Sequence, residues 1–321
     1  MKDFVKLSLV FFLTFGLFVS CTDENTDDDS NTLKGTARFE LTDAPIDDAN
    51  VKGAFVTVTA VKVDGEVISG FNGKQTIDFL AYQQGNTQAL GLAELEAGTY
   101  SDVSLVLDYE TDANGDQPGC YILTTDDTRQ KLEASSGSSG ELNLNSGSFT
   151  VEENSTTDIV IDFDVRKAVA SDGAGQYRFA SESELESSVR MVTKAESGTV
   201  EGNCSDDLNV AEKIVVYAYK KGSFNKDTEM NGQGASNIEF KNAVTSAVVD
   251  QNGNYKLAFL EKGEYELHFI AYEDSNNDGR MELAGELELS LLGSLGLDLN
   301  SVTVDANASL TVNVSVTGLI P

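Results

Sequence analysis

Ile159-Val160-Ile161-Asp162-Phe163-Asp164-Val165 puts Ile159, Ile161, Phe163 and Val165 on one parity and Asp162 and Asp164 on the other. Period-two alternation of this kind marks a strand with one buried face. The same pattern recurs upstream, where Val103, Leu105, Leu107 and Tyr109 share a parity. Between Phe55 and Val61 both parities are filled, Phe55, Thr57, Thr59 and Val61 against Val56, Val58 and Ala60, so that strand is expected to be covered on both sides. Glycine and Asp/Asn turns separate the segments; the chain holds 28 Gly but only 3 Pro, and the turns read as hairpin connections. A brief helix around residues 77–83 is compatible with the pattern, and Ser135-Ser136-Gly137-Ser138-Ser139-Gly140 reads as a loop because strand-like sequence resumes at Leu142. No long stretch has helical period, so the fold class is all-β.

The N-terminus is of another kind. Lys2 and Lys6 precede an apolar run, Leu7 to Val19, that ends in Leu17-Phe18-Val19-Ser20-Cys21. The run is shorter than the roughly twenty residues a spanning helix needs, and it has the form of a lipoprotein signal peptide cleaved before a lipid-accepting Cys21. Several acyl chains on Cys21 would make membrane attachment effectively permanent, at about 0.8 kcal/mol per buried methylene. Thr22 to Thr32 carries no apolar side chain and reads as a solvated acidic tether. It resembles the acidic export signal of surface-exposed lipoproteins of the Bacteroidota. That likeness implies an outer-membrane, lipid-anchored protein facing the medium.

A formal net charge of -31 repels nucleic acid and anionic headgroups and makes cations the natural small partners. With Cys21 assigned to lipid, Cys120 and Cys204 remain, and in an oxidising compartment they are expected to form a disulfide.

From Leu33 to Lys194 a family likeness emerges. Gly35-Thr36-Ala37-Arg38-Phe39-Glu40-Leu41-Thr42-Asp43-Ala44-Pro45 and Leu95-Glu96-Ala97-Gly98-Thr99-Tyr100 are followed by Phe149-Thr150-Val151-Glu152-Glu153. Asp162-Phe163-Asp164-Val165-Arg166-Lys167 and Ser188-Val189-Arg190-Met191-Val192 complete the series. In this order the motifs resemble domain of unknown function 4382. The resemblance implies a β-sandwich module of bacterial lipoproteins and no reaction. Within it, Asp43 is expected to cap its own turn beside Pro45. Asp162, Asp164 and Arg166 are expected to form an exposed cross-strand charge cluster.

Residues 197–321 carry the strands Ile214–Tyr219, Tyr255–Leu260 and Tyr265–Tyr272, then the alternation of Leu310, Val312, Val314 and Val316. This order resembles carboxypeptidase-regulatory-like, transthyretin-like sandwiches. The turn Leu260-Glu261-Lys262-Gly263-Glu264-Tyr265 echoes Leu95 to Tyr100. The expected organisation is therefore a signal peptide at residues 1–20 and a tether at 21–32, followed by tandem immunoglobulin-like/transthyretin-like β-sandwich domains at 33–194 and 195–321.

Asp274-Ser275-Asn276-Asn277-Asp278-Gly279-Arg280-Met281-Glu282 is the strongest chemical motif. Oxygen side chains at alternate positions with a glycine at the sixth suit calcium. Asp274, Asn276 and Asp278 would bind through side chains, Arg280 through its carbonyl, and Glu282 directly or through water. The twelfth position is Gly285, with Glu286 one later, and the flanks read as strands, which makes this a hairpin-tip site or a metal-free polar turn. Asp112, Asn114 and Asp116 form a poorer copy.

The chain has 1 His, His268, which reads as a surface strand residue, and no nucleophile elbow, phosphate loop or dinucleotide fingerprint. The sequence thus favours a noncatalytic, lipid-anchored surface module for binding, adhesion or assembly, with an unknown envelope protein or glycan as partner and calcium as cofactor. The competing readings are a carboxylate-pair polysaccharide hydrolase and a purely structural spacer.

Overall fold

Strand pairing begins where the apolar alternation is densest. A computed structural model describes residues 33–321 apart from 45–47, 49, 135–139, 145–146, 172–174, 277–280 and 294–295. Twelve principal strands carry the fold. In the first lobe these are β1 (Lys34–Ala44), β2 (Val51–Val63), β3 (Gln88–Glu96), β4 (Val103–Leu107), β5 (Thr156–Asp164) and β6 (Val189–Thr193). The second lobe contains β7 (Ser197–Ser205), β8 (Lys213–Lys220), β9 (Asn254–Glu261), β10 (Gly263–Glu273), β11 (Glu282–Leu291) and β12 (Val314–Ile320). The fold is all-β.

One sheet of the first lobe runs β6-β5-β1-β3 and ends on the short strand Gly70–Phe71. The facing sheet is built on β2 and β4, with Tyr121–Thr124, Arg129–Lys131 and Glu141–Asn143 extending it. Between them lies a core that includes Phe39, Leu41, Val58, Phe79, Leu105, Ile122, Ile161 and Phe163. The expected brief helix is the single 3-10 turn Phe79–Tyr82, held at its start by the Asp78 carboxylate. In the second lobe one sheet follows the path β8-β10-β11-β12-β7-β9, and Thr245–Val248 flanks β8.

Parity explains why β8 and β10 are covered twice. Val216, Ala218, Leu267, Phe269 and Ala271 face the main core, whereas Val215, Tyr217, Tyr219, Ile270 and Tyr272 face a second cluster built under residues 221–244 with Phe240 and Ala243. Buried Glu229 organises that segment, accepting from the Tyr219 hydroxyl at 2.9 Å and the Asn242 amide N–H at 3.1 Å.

The two lobes repeat one wiring scheme. In each, the opening strand pairs antiparallel with the strand before a Gly-x-Tyr turn (β1 with β3, β7 with β9) and parallel with a late strand (β1 with β5, β7 with Ser309–Thr311 and β12). The echo between Leu95–Tyr100 and Leu260–Tyr265 has a physical counterpart. The Tyr100 hydroxyl donates to the Glu96 carbonyl at 2.9 Å and the Tyr265 hydroxyl to the Glu261 carbonyl at 2.7 Å, four residues back in both cases.

Candidate functional site at the lobe junction

The end of β1, the end of β5 and the start of β6 bring Asp43, Asp162, Asp164 and Arg190 together, and the chain leaving β5 adds Arg166 and Lys167. Asp43, Asp162 and Asp164 are only 4–5% exposed. The expected surface cluster is therefore buried. The correction has a cause: β5 is flanked by β1 and β6 and covered on both faces, so the parity opposite Ile161 and Phe163 meets the second lobe instead of water. Val165 also departs from the strand it was read into. It begins a single helical turn, Val165–Ala168, in which Asp164 meets Arg166 at 2.8 Å and Lys167 at 3.2 Å.

The turn that Asp43 was expected to cap, at residues 45–47, lies outside the described residues. Asp43 Oδ1 accepts the Val165 amide N–H at 3.1 Å, 122 residues away, which ties the end of β1 to the helical turn.

Three cations of this cluster reach across to the second lobe. Arg166 donates to the Glu239 carbonyl at 2.8 Å and the Phe240 carbonyl at 2.9 Å, its guanidinium lying over the Tyr217 ring at 5.3 Å. Lys167 donates to the Ala243 carbonyl, and Arg190 to the Phe259 carbonyl at 2.8 Å. Both phenylalanines that receive an arginine have positive φ, 48° at Phe240 and 54° at Phe259. A bulky residue in that region is strained by about 1–3 kcal/mol and persists only where its surroundings hold it there. Phe259 lies in a β-bulge between β7 and β9, which helps turn its carbonyl toward Arg190. A fourth tie is Glu184 to Lys241 at 3.1 Å, and Ser181 donates its amide N–H to the Ser236 hydroxyl at 3.0 Å.

The acids respond differently to this enclosure. Burial raises Asp164, but Arg166 and Lys167 more than offset it, leaving its carboxyl below the usual value. Asp162 is raised by burial despite Arg190. Burial pushes Asp43 well above the ordinary range, the Val165 amide opposing and the charges of Asp164 and Asp162 adding to the rise. Burial also lowers Lys167, against the pull of Asp164. Beside the acids is a small cavity of about 10 Å³, lined by Asp43, Asp162, Ser246 and Lys256 among others, enough for about one water. A larger, open groove of about 470 Å³ lies on another side of the junction, lined by Ser148, Met191, Thr193, Glu196, Glu261 and Lys262.

The remaining sequence candidates fall elsewhere. Cys21 lies outside the described residues, as do Asp278 and Arg280. Of the calcium motif, Asp274, Asn276 and Glu282 are described. Glu282 closes the hairpin tip by accepting from the Ser275 amide at 3.0 Å, the Ser275 hydroxyl at 3.1 Å and the Asn276 side chain at 2.9 Å. A cation there would have to draw Glu282 away from Ser275. The poorer copy is an Asx turn: Asp112 Oδ1 accepts the Asn114 and Asp116 amides at 2.8 and 2.9 Å.

The expected disulfide is not formed. Cys120 and Cys204 are free thiols in the separate cores of the two lobes, each pushed by burial up to about 12. His268 is mostly enclosed instead of lying on the surface, its ring stacked on Phe224 at 3.6 Å with Nδ1 2.7 Å from Glu286. Sequence reading missed the lobe-joining role of Arg166, Lys167 and Arg190. The available signal was that these scarce basic residues cluster beside two acids in an otherwise apolar strand.

Residues 34–181 match the family model described as Domain of unknown function (DUF4382). The match falls within the first lobe, where the motifs resembled that family, and ends before the Ser188 to Val192 motif. No curated protein matches the chain. Among solved structures, the Bacillus anthracis TIE protein is similar at 12% identity, with 88% of this chain and 34% of that one covered and a TM-score of 0.20. The chain thus spans about a third of that protein. A putative carbohydrate binding protein (PA1324) from Pseudomonas aeruginosa is similar at 13% identity over 39% of this chain and 91% of that one, with a TM-score of 0.23. BcpA, the major pilin subunit of Bacillus cereus, is similar at 10% identity over 88% and 70%, with a TM-score of 0.21.

Proposed function

We propose that the protein is a noncatalytic, lipid-anchored lipoprotein of the outer-membrane surface, in which two β-lobes act as one binding, adhesion or assembly module. The leader ending at Cys21 and the acidic stretch after it support the anchor and the display. The observation that carries the noncatalytic reading is the fate of the most concentrated acids. Asp43, Asp162 and Asp164 are buried, and the space beside Asp43 and Asp162 is that of about one water. A glycoside hydrolase needs two carboxylates flanking a substrate bond in an open cleft, roughly 5 to 10 Å apart.

These acids and their cations instead join the lobes into one platform. The open groove bounded by Glu196, Glu261 and Lys262 is where an envelope protein or glycan would engage it. Calcium at the hairpin tip of Asp274 to Glu282 would stiffen the second lobe.

The test is a Cys21→Ser variant followed by fractionation, with surface protease digestion and pull-down from intact cells in parallel. Release of the variant from the membrane fraction, and digestion of the unmodified protein on intact cells, are expected. Retention of the variant in the membrane, or full protection of the native protein, would refute the anchor or the display respectively.

A further inference from the structure

Asp43 is the odd member of the buried cluster. Asp162 pairs with Arg190, and Asp164 with Arg166 and Lys167. Asp43, 5% exposed, has no ion-pair partner among the described residues; its Oδ1 accepts the Val165 amide, and the Gln83 side chain is the other neutral group that favours its charged form. Its Oδ2 is buried without a hydrogen-bond partner, as is Asp162 Oδ1 and, across the junction, Ser246 Oγ. All three residues line the 10 Å³ cavity. The charged groups around Asp43 are Asp162 and Asp164 from β5, Arg166 and Lys167 from the helical turn, Arg190 from β6 and Lys256 from β9. The two acids push its carboxyl up further, and each cation from the first lobe is already engaged with a carboxylate or a carbonyl of the second lobe.

An ionised carboxylate there would be buried without a cation paired to it, held only by the neutral Val165 amide and Gln83 side chain, whereas a protonated one gains a donor that can serve the cavity water or Asp162. We propose that the lobe junction is a proton-operated joint, closed while Asp43 carries a proton and loosened when that proton is removed. The proposal concerns how the platform of the preceding subsection is held, and it stands whether or not the chain is lipid-anchored.

The sign follows from linkage. The closed junction raises the Asp43 carboxyl, so the closed state binds one proton more than an open state in which the acid has its ordinary value near 4. The closed form keeps its full advantage in mild acid. As pH rises above that ordinary value the closed-to-open ratio falls about tenfold per unit, until the raised value is passed and the loss is complete.

The full-length chain carrying Cys21→Ser, labelled at Ser101→Cys and Asp207→Cys, reports the lobe separation by energy transfer, because the two buried thiols do not compete for dye. The expected result is a separation that grows from mild acid toward alkaline pH in this protein and stays constant when Asp43→Asn, which mimics the protonated acid, is added. Equal opening in the Asp43→Asn protein would assign the titration to Lys167 or another group and overturn the proposal. Carboxyl carbon NMR of the unsubstituted chain gives a second readout that needs no variant. One aspartate that keeps its proton well above the ordinary carboxyl range is expected, and ionisation of every carboxyl within that ordinary range would sink the idea.

Discussion

Replacing Arg166 by alanine tests whether the junction joins the lobes energetically. Arg166 makes three charge-assisted hydrogen bonds, to the Asp164 carboxylate and to the Glu239 and Phe240 carbonyls, all between 2.8 and 2.9 Å. Its side chain is 7% exposed and that of Asp164 6%. Truncation leaves Asp164 with Lys167 alone and strands two carbonyls, a combination that costs about 3–5 kcal/mol when one partner of a buried pair is removed. The loss should fall on the second lobe, because Phe240 then keeps its strained backbone without the contact that holds it. Urea denaturation suits the assay, followed by tyrosine emission, since the chain has 10 Tyr and no Trp. The variant should lose about 4 kcal/mol, and its single transition should divide into two, the second lobe melting first. Arg166→Lys, which keeps the charge but not the planar fork, should lose roughly half as much. A loss below about 1 kcal/mol for Arg166→Ala would refute the reasoning, since that is what an exposed ion pair contributes.

Other outcomes follow from the same structure. Tyr265→Phe should cost about 1–1.5 kcal/mol by thermal or urea unfolding, because a fully buried hydroxyl that donates to Glu261 and accepts from Lys220 is lost, whereas Tyr100→Phe, at a half-buried position, should cost less. Glu184 is raised by burial but brought down to about 2 by Ser181, Ser236 and Lys241, so the stability it contributes is present above its ordinary value and lost as pH falls. The difference between wild type and Glu184→Gln in acid titrations should therefore be full at neutral pH and vanish as pH approaches about 2. Cys120 and Cys204 should resist thiol reagents in the native protein and react only on unfolding. Millimolar calcium should raise the melting temperature of the wild type and leave that of an Asp274→Asn, Asp278→Asn double variant unchanged.

The strands, the turns and the all-β class were legible because period two is a local signal, and Ile159 to Phe163 or Val103 to Leu107 carry it in a few residues. The Gly-x-Tyr echo was legible for the same reason, since its hydrogen bond spans only four residues. The junction was not. Whether Asp162 faces water or the other lobe depends on what lies over its strand, and that is set by Thr245–Val248 and β9, more than eighty residues later, which bring Ser246, Lys256 and Phe259 to the same cavity. The thiols illustrate the same limit. Compartment and number suggested a bond between Cys120 and Cys204, but the bend before Tyr121–Thr124 and the strand β7 deliver each to its own core. Positive φ at Phe240 and Phe259 has no sequence signature, because phenylalanine gives no hint that its backbone will be forced into that region.

The parallel pairing of β1 with β5 has a mechanical side. Nine residue pairs, Thr36 with Thr156 through Ala44 with Asp164, run alongside one another in a single direction, and eight more join β1 to β3 on its other flank. A pull applied at Lys34 along the strand axis is resisted by both rows of hydrogen bonds in shear, so that many must yield together instead of opening one at a time from an end. A chain tugged from its amino-terminal side by flow or by a bound neighbour would meet this resistance before any other part of the sandwich is disturbed.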